Sequence, residues 1–108
     1  MSVRPDAAVW AEVSRSALLV NNRVLRRLAG SSRLIPVVKA GGYGLGAAWV
    51  VRMLKPKAVA VMVPSEGTEL RDLGYRGEIL LLSPASLSGL KEAVEGRMTP
   101  SVSTSSQV

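Results

Sequence analysis

Residues 37–47 read VVKAGGYGLGA, an apolar pair and a lysine followed by a loop built on glycine and one tyrosine. Two chemistries place such a stretch at the exit of a strand. Backbone amides can cradle a phosphate there, or the lysine can condense with a cofactor aldehyde. For the first, Gly42, Gly44 and Ala47 fit G-x-G-x-x-G/A between a predicted strand and a predicted helix. Glu66 follows near the end of the next predicted strand, where a dinucleotide fold puts its ribose-binding acid. The run contains no G-K-[ST], so it is not a P-loop, and the dinucleotide pattern gives Lys39 no task. For the second, residues at the carboxyl ends of strands face the active site of a (β/α) barrel. Burial behind Val37 and Val38 would favour the neutral amine that attacks an aldehyde. A lysine that only snorkels from a strand end into solvent has the same spacing.

The pattern around this stretch sets the fold. In AVWAEVS (8–14), Val9, Ala11 and Val13 alternate, which predicts a short strand. Ser14 is placed to cap a helix over 15–29, where Leu18, Asn21, Val24, Leu25 and Leu28 recur at helical spacing. RLIPVVKA (33–40) predicts a buried strand, although Pro36 removes a ladder donor. A helix over 47–54 is stopped by Pro56. KAVAVMV (57–63) predicts a second strand, and Ser65 a cap for a helix through EGTELRDL that Gly74 closes. GEILLLS (77–83) predicts a third strand, Ser86 starts a helix that ends at Gly96, and TPSVST (99–104) predicts a fourth strand before the tail SSQV. Strand and helix thus alternate from residue 33 onward. That is an α/β pattern: a parallel sheet under helices, its strands apolar enough to be buried on both faces. Four strands without a closing element leave an edge unpaired.

Composition narrows the chemistry. The 108 residues make room for one domain, and 47% apolar residues supply its core without any Phe. The absence of Cys excludes disulfides and thiolate metal sites, and the absence of His removes the commonest metal ligand and general base. Chemistry here must come from Lys, Tyr, Ser, Glu, Asp or a cofactor, and no metal is expected. The opening MSVRPDAAVWAEV has no apolar signal region and no stretch reaches membrane-spanning length, so a cytoplasmic protein without a membrane partner is expected. The net charge of +6 is uneven: residues 1–57 hold ten Lys/Arg against two acids, and residues 58–108 hold four against six. No aromatic residues are interleaved with the arginines as a stacking platform requires, so this is read as a solvated face, with no nucleic-acid partner.

The stretch VVKAGGYGLG resembles the pyridoxal-phosphate attachment signature of the alanine racemases, V-x-K-A-[DN]-[GA]-Y-G-H-G. Val37, Lys39, Ala40, Gly42, Tyr43, Gly44 and Gly46 agree, while Gly41 replaces Asp/Asn and Leu45 replaces His. WAEVSRSALLVNNRVLRRLAG is similar to the family's opening strand and helix through Trp10, Glu12, Val13, Ala17, Leu18 and Asn21. EGTELRDLGYRGEILLLSP is similar to its third barrel segment through Glu66, Gly67, Glu69, Leu70, Arg71, Gly74 and Pro84. Met98, Thr99, Pro100 and Val102 echo a further family segment.

The resemblance implies a partial (β/α)8 TIM barrel, about the first four β/α units, preceded by a short strand and helix. A whole barrel takes ~250 residues, so residues 1–108 are expected to be its N-terminal part, with the C-terminal half-barrel and β-domain absent. It implies pyridoxal 5'-phosphate as cofactor and interconversion of L- and D-alanine for peptidoglycan synthesis, in the family as a homodimer. Lys39 would be the catalytic lysine that carries the cofactor and exchanges the Cα proton, and Tyr43 would hydrogen-bond the cofactor phosphate. The opposing tyrosine base, which the family takes from the partner subunit, has no counterpart here, because Tyr75 falls in a predicted turn. The chain on its own is therefore expected to be an incomplete or inactive fragment. The alternative is a non-catalytic module that binds pyridoxal phosphate, or a dinucleotide in a Rossmann-like βαβ unit.

Overall fold

The computed structural model describes residue 6 and residues 8–108. Three parallel strands, β1 (Ala58–Val61), β2 (Glu78–Pro84) and β3 (Thr99–Ser101), lie side by side in chain order. Helix α4 (Pro64–Asp72) connects the first two and α5 (Leu87–Glu95) the second pair, since parallel neighbours need a crossover. Before β1 come α1 (Arg15–Ala29), the single turn α2 (Lys39–Tyr43) and α3 (Ala47–Leu54); a 3-10 turn (Ser105–Gln107) follows β3. The described residues form an α/β fold with parallel strands, as the alternating pattern predicts.

Register explains where the core sits. Val59 pairs with Ile79 and Val61 with Leu81, and these four are the largest fully buried side chains. Alternation puts them on one face of the sheet. There they meet Val50 and Val51 of α3, Leu70 of α4 and Ala93 of α5, with Val38 and Met98 completing the cluster. Branched aliphatic residues do the filling in a chain without Phe.

Burial on both faces holds for β1, which is buried at every position. It does not hold for β2, where Ile79 and Leu81 are buried while Leu82 on the other face is 47% exposed. β3 ends at Ser101, earlier than the predicted 104, because Pro100 offers no amide donor and the pairing shifts between Leu80–Thr99 and Pro84–Ser101. Instead of a free tail, the side chain of Gln107 accepts from the Ser103 amide at 2.7 Å and donates to the Ala85 carbonyl at 2.9 Å.

Two predicted strands are corrected. Residues 8–14 form no strand, and Val9 and Trp10 are exposed; their alternation finds no neighbour to pair with. Of residues 33–40, only Val37 pairs, in a parallel bridge to Ala60. The Val38 amide donates to the Ala60 carbonyl and the Ala60 amide to the Pro36 carbonyl, both at 2.9 Å. The ladder goes no further, since Pro36 has no N–H and the chain turns into α2 at Lys39. The strand therefore shrinks to one bridge on the open edge of β1.

The predicted helices fare better. Ser14 caps α1 and Ser86 caps α5, each hydroxyl accepting from the amide three residues on. Ser65 does not cap α4: it lies inside the helix, behind Pro64 at the first helical position. The apolar stripe of α1 stays largely uncovered, with no residue of the helix buried and Leu28 exposed. Among the described residues no helix is long and apolar enough to cross a membrane.

Candidate functional site

Lys39 stands where the bridging segment leaves the sheet, two residues past the Val37–Ala60 pair and therefore at the carboxyl end of the parallel strands. Ligands of α/β sheets collect at that end. The chain then does something rare. Ala40, Gly41 and Gly42 have φ/ψ of 52/44, 63/35 and 68/40, and Tyr43 has φ of 58, so α2 winds left-handed over four consecutive residues. Left-handed winding costs an L-residue about 1–2 kcal/mol, which bears on Ala40 and Tyr43 but not on the two glycines between them. Internal hydrogen bonds hold the turn: the Gly42 amide donates to Val38, the Gly44 amide to Ala40 and the Gly46 amide to Gly41.

This turn brings Lys39 and Tyr43 together. The lysine Nζ lies 5.9 Å from the centre of the Tyr43 ring, within cation–π range. Lys39 is half-buried and Tyr43 is 63% exposed. Among the described residues the amine has no carboxylate partner, and the tyrosine hydroxyl has no hydrogen-bond partner. The valine shield around the lysine is one-sided, because Val38 is buried but Val37 is 39% exposed. Leu45, where the signature has His, is half exposed and lies beyond the turn.

Glycine is required at one point of this loop. A Cβ on Gly42 would stand 3.0 Å from the amide nitrogen of Ala47, so α2 packs directly on the first residue of α3. Gly44 is the left-handed cap of the turn, with open space around it.

Glu66, the candidate ribose ligand of the dinucleotide reading, has its carboxylate engaged by backbone amides. Oε1 accepts from Met62 and Val63 at 3.2 and 3.1 Å, and Oε2 accepts from Ala40 at 2.6 Å. It thus caps α4, the task assigned in sequence to Ser65, and also reaches the turn next to Lys39. A Glu at the third helical position is a known capping signal; the partner 26 residues back is not visible from spacing.

At the other end of the sheet, Arg71 binds four carbonyls: Gly96 at 2.8 Å, Tyr75 at 3.0 Å, Gly77 at 2.7 Å and Arg97 at 3.1 Å. Burial lowers its pKa and Arg76 and Arg97 add to this, while Tyr75 opposes it. The Tyr75 hydroxyl donates to the Pro56 carbonyl at 3.0 Å, so this tyrosine is committed away from Lys39. No three His, Cys, Asp or Glu side chains converge among the described residues.

Comparison with known proteins matches this arrangement to one family. The alanine racemase N-terminal domain family covers residues 13–108. A broad specificity amino-acid racemase of Pseudomonas putida is 38% identical over 98 residues, spanning 83% of this chain and 23% of the relative. An alanine racemase of Desulforamulus reducens is also 38% identical over 98 residues, spanning 87% of this chain and 26% of the relative. The solved alanine racemase of Clostridium difficile 630 superposes with a TM-score of 0.82 at 28% identity, over 92% of this chain and 28% of that one. The chain spans about a quarter of the length of the curated relatives it matches. Matched over residues 13–108 and sharing the fold of its solved relatives, this chain belongs to the alanine racemase N-terminal domain family.

Proposed function

We propose that residues 1–108 form the lysine-bearing part of a pyridoxal-phosphate-dependent amino-acid racemase barrel, with Lys39 as the group that holds the cofactor. One observation carries this reading: a half-buried lysine at the carboxyl end of a parallel sheet, without a carboxylate partner among the described residues, beside an exposed tyrosine hydroxyl that is also unpartnered there. The pair fits the cofactor's two ends, an amine for the aldehyde and a phenol to donate to the phosphate. When bound, the cofactor supplies an electron sink that makes the Cα proton of an amino acid removable.

The chain's own residues then have definable tasks. Lys39 would hold the aldehyde end, and its amine is the group on this chain that would take or return a Cα proton at Nζ. Tyr43 would donate to the phosphate end from the same turn that carries Lys39. Gly42 lets the turn sit against α3, so the two side chains are carried by a braced backbone. Racemisation requires a second acid/base group on the opposite face, and Tyr75 is engaged with Pro56 instead. The second group would come from outside these residues, in the family's manner from a partner subunit in a homodimer. Without it, alanine racemisation is expected to run ~10²–10⁴-fold slower. In the same reading, the parallel strands are the start of a TIM barrel, alanine is the substrate and D-alanine for peptidoglycan the product. A dinucleotide reading gains nothing from the structure, since the Glu66 carboxylate is taken up by three backbone amides.

Incubation with pyridoxal 5'-phosphate followed by borohydride reduction tests the reading. The reduced pyridoxyl group should be found on Lys39 in the peptide map, and Lys39→Ala should lose it. Label scattered over Lys55, Lys57 and Lys91 would overturn the assignment.

A further inference from the structure

Glu66 divides its carboxylate between two jobs. Oε1 alone serves the start of α4 through the amides of Met62 and Val63, while Oε2 is aimed at the amide of Ala40 at 2.6 Å. A residue that only capped α4 would have no need of the second contact. Ala40 is the residue joined to Lys39 by a peptide bond, and it is the first of the four left-handed residues. Its amide lies in the first turn of α2, where a helix offers no internal acceptor. Charge-assisted bonds of this kind are short and strong. The carboxylate sits below the turn, lining a cleft of about 210 Å³ with Val38, Gly41, Gly46 and Val61.

We propose that Glu66 is a positioning residue for Lys39: by clasping the Ala40 amide it fixes the Lys39–Ala40 peptide plane and keeps α2 wound left-handed, so that the amine is presented in one pose. This rests on the reading of Lys39 as the cofactor-holding amine. Glu66 does not act on the cofactor itself; it acts through the backbone of its neighbour across 26 residues of sequence. Ala40 is the position where that support matters, because its own side chain disfavours the conformation.

The test uses the full chain and three variants. Glu66→Gln has the same shape but offers only one carbonyl oxygen, so it cannot accept at both α4 and Ala40. Ala40→Gly in the Glu66→Gln background removes the side chain that resists left-handed winding. Tyr75→Phe removes a hydrogen bond at the far end of the sheet and controls for general loss of stability. Two quantities are read: the initial rate at which pyridoxal 5'-phosphate becomes borohydride-trapped on Lys39, and the proton chemical shift of the Ala40 amide without cofactor. Glu66→Gln should slow Lys39 labelling by roughly ten- to a hundredfold, the effect of misplacing a reacting group by about an ångström. It should also move the Ala40 amide proton upfield. Ala40→Gly should restore most of the rate, and Tyr75→Phe should leave it near that of the parent chain. Equal labelling of the parent and Glu66→Gln overturns the inference, as does an equal loss in Tyr75→Phe or a failure of Ala40→Gly to rescue. If the parent chain leaves Lys39 unlabelled, the proposed function fails and Glu66 loses its role toward the cofactor. An Ala40 amide shift that still responds to Glu66→Gln would then show that the clasp survives as a purely structural contact.

Discussion

Gly42 and Ala47 approach so closely that a Cβ on the glycine would lie 3.0 Å from the Ala47 nitrogen and 3.2 Å from its Cα. Both atoms belong to the backbone at the start of α3 and cannot move aside as a side-chain tip would. Gly42 also has φ of +68. Gly42→Ala should therefore destabilise the chain by about 1–3 kcal/mol and reduce cofactor labelling of Lys39. Gly44→Ala, at a φ of +84 but with nothing within 4 Å, suffers the backbone strain alone. Urea midpoints should fall for both, and further for Gly42→Ala; the reverse order would show that the packing of α2 on α3 is not what holds the turn.

Ile79 is fully buried at the middle of the sheet, opposite Val59. Ile79→Val should cost about 0.5–1.5 kcal/mol and Ile79→Ala about 2–5 kcal/mol, the second leaving a cavity under α4 and α5. Thermal or urea unfolding measures both. A loss below the valine figure for the alanine variant would mean that this core is more loosely packed than the structure shows.

Arg71 binds the carbonyls of Tyr75, Gly77, Gly96 and Arg97 with its guanidinium fork. These lie before β2 and before β3, so one side chain ties together the loops that launch two strands. Arg71→Lys keeps the charge but cannot span four acceptors. The expected loss is about 1–3 kcal/mol, with amide exchange speeding up first around residues 75–78 and 96–98. A lysine variant as stable as the parent would reduce the fork to a surface contact.

Tyr75 gives the stability a pH dependence. Burial raises its pKa above the ordinary phenol range; Arg71 opposes the shift and Glu78 adds to it. The unfolded chain therefore loses this proton at a lower pH than the folded one. The contribution is fully present below the ordinary tyrosine range and is lost as pH rises through the raised value. Urea midpoints measured from neutral into alkaline pH should decline for the parent, and decline less steeply for Tyr75→Phe after an initial loss of about 1 kcal/mol from the Pro56 hydrogen bond. Parallel curves would dissociate the alkaline loss from Tyr75.

Much of this architecture is written locally. Alternating apolar runs and helical spacings mark β1, β2 and four of the helices, and the capping serines at 14 and 86 mark two helix starts to the residue. The lysine loop is legible because a strand exit, a lysine and clustered glycines stand together. What failed has a common physical origin. Residues 8–14 alternate and residues 33–40 form a short apolar run, but a strand exists only where a neighbour supplies donors and acceptors, and spacing does not reveal neighbours. Pro36 and Pro100 show this at the two edges, each leaving the chain without a donor where a ladder would continue. The left-handed sense of α2 is equally hidden: glycines permit it, but Ala40 and Tyr43 adopt it against the preference of their own side chains. The bond from Glu66 to Ala40 spans 26 residues, and no short pattern encodes such a contact.

The sheet is laid down in the order in which the chain is read, with Val37 beside β1, β1 beside β2 and β2 beside β3. No segment has to wait for a later one to be slotted between two earlier ones. A ribosome releasing the polypeptide can thus add one unit at a time to a growing edge, each arrival docking on what emerged just before it.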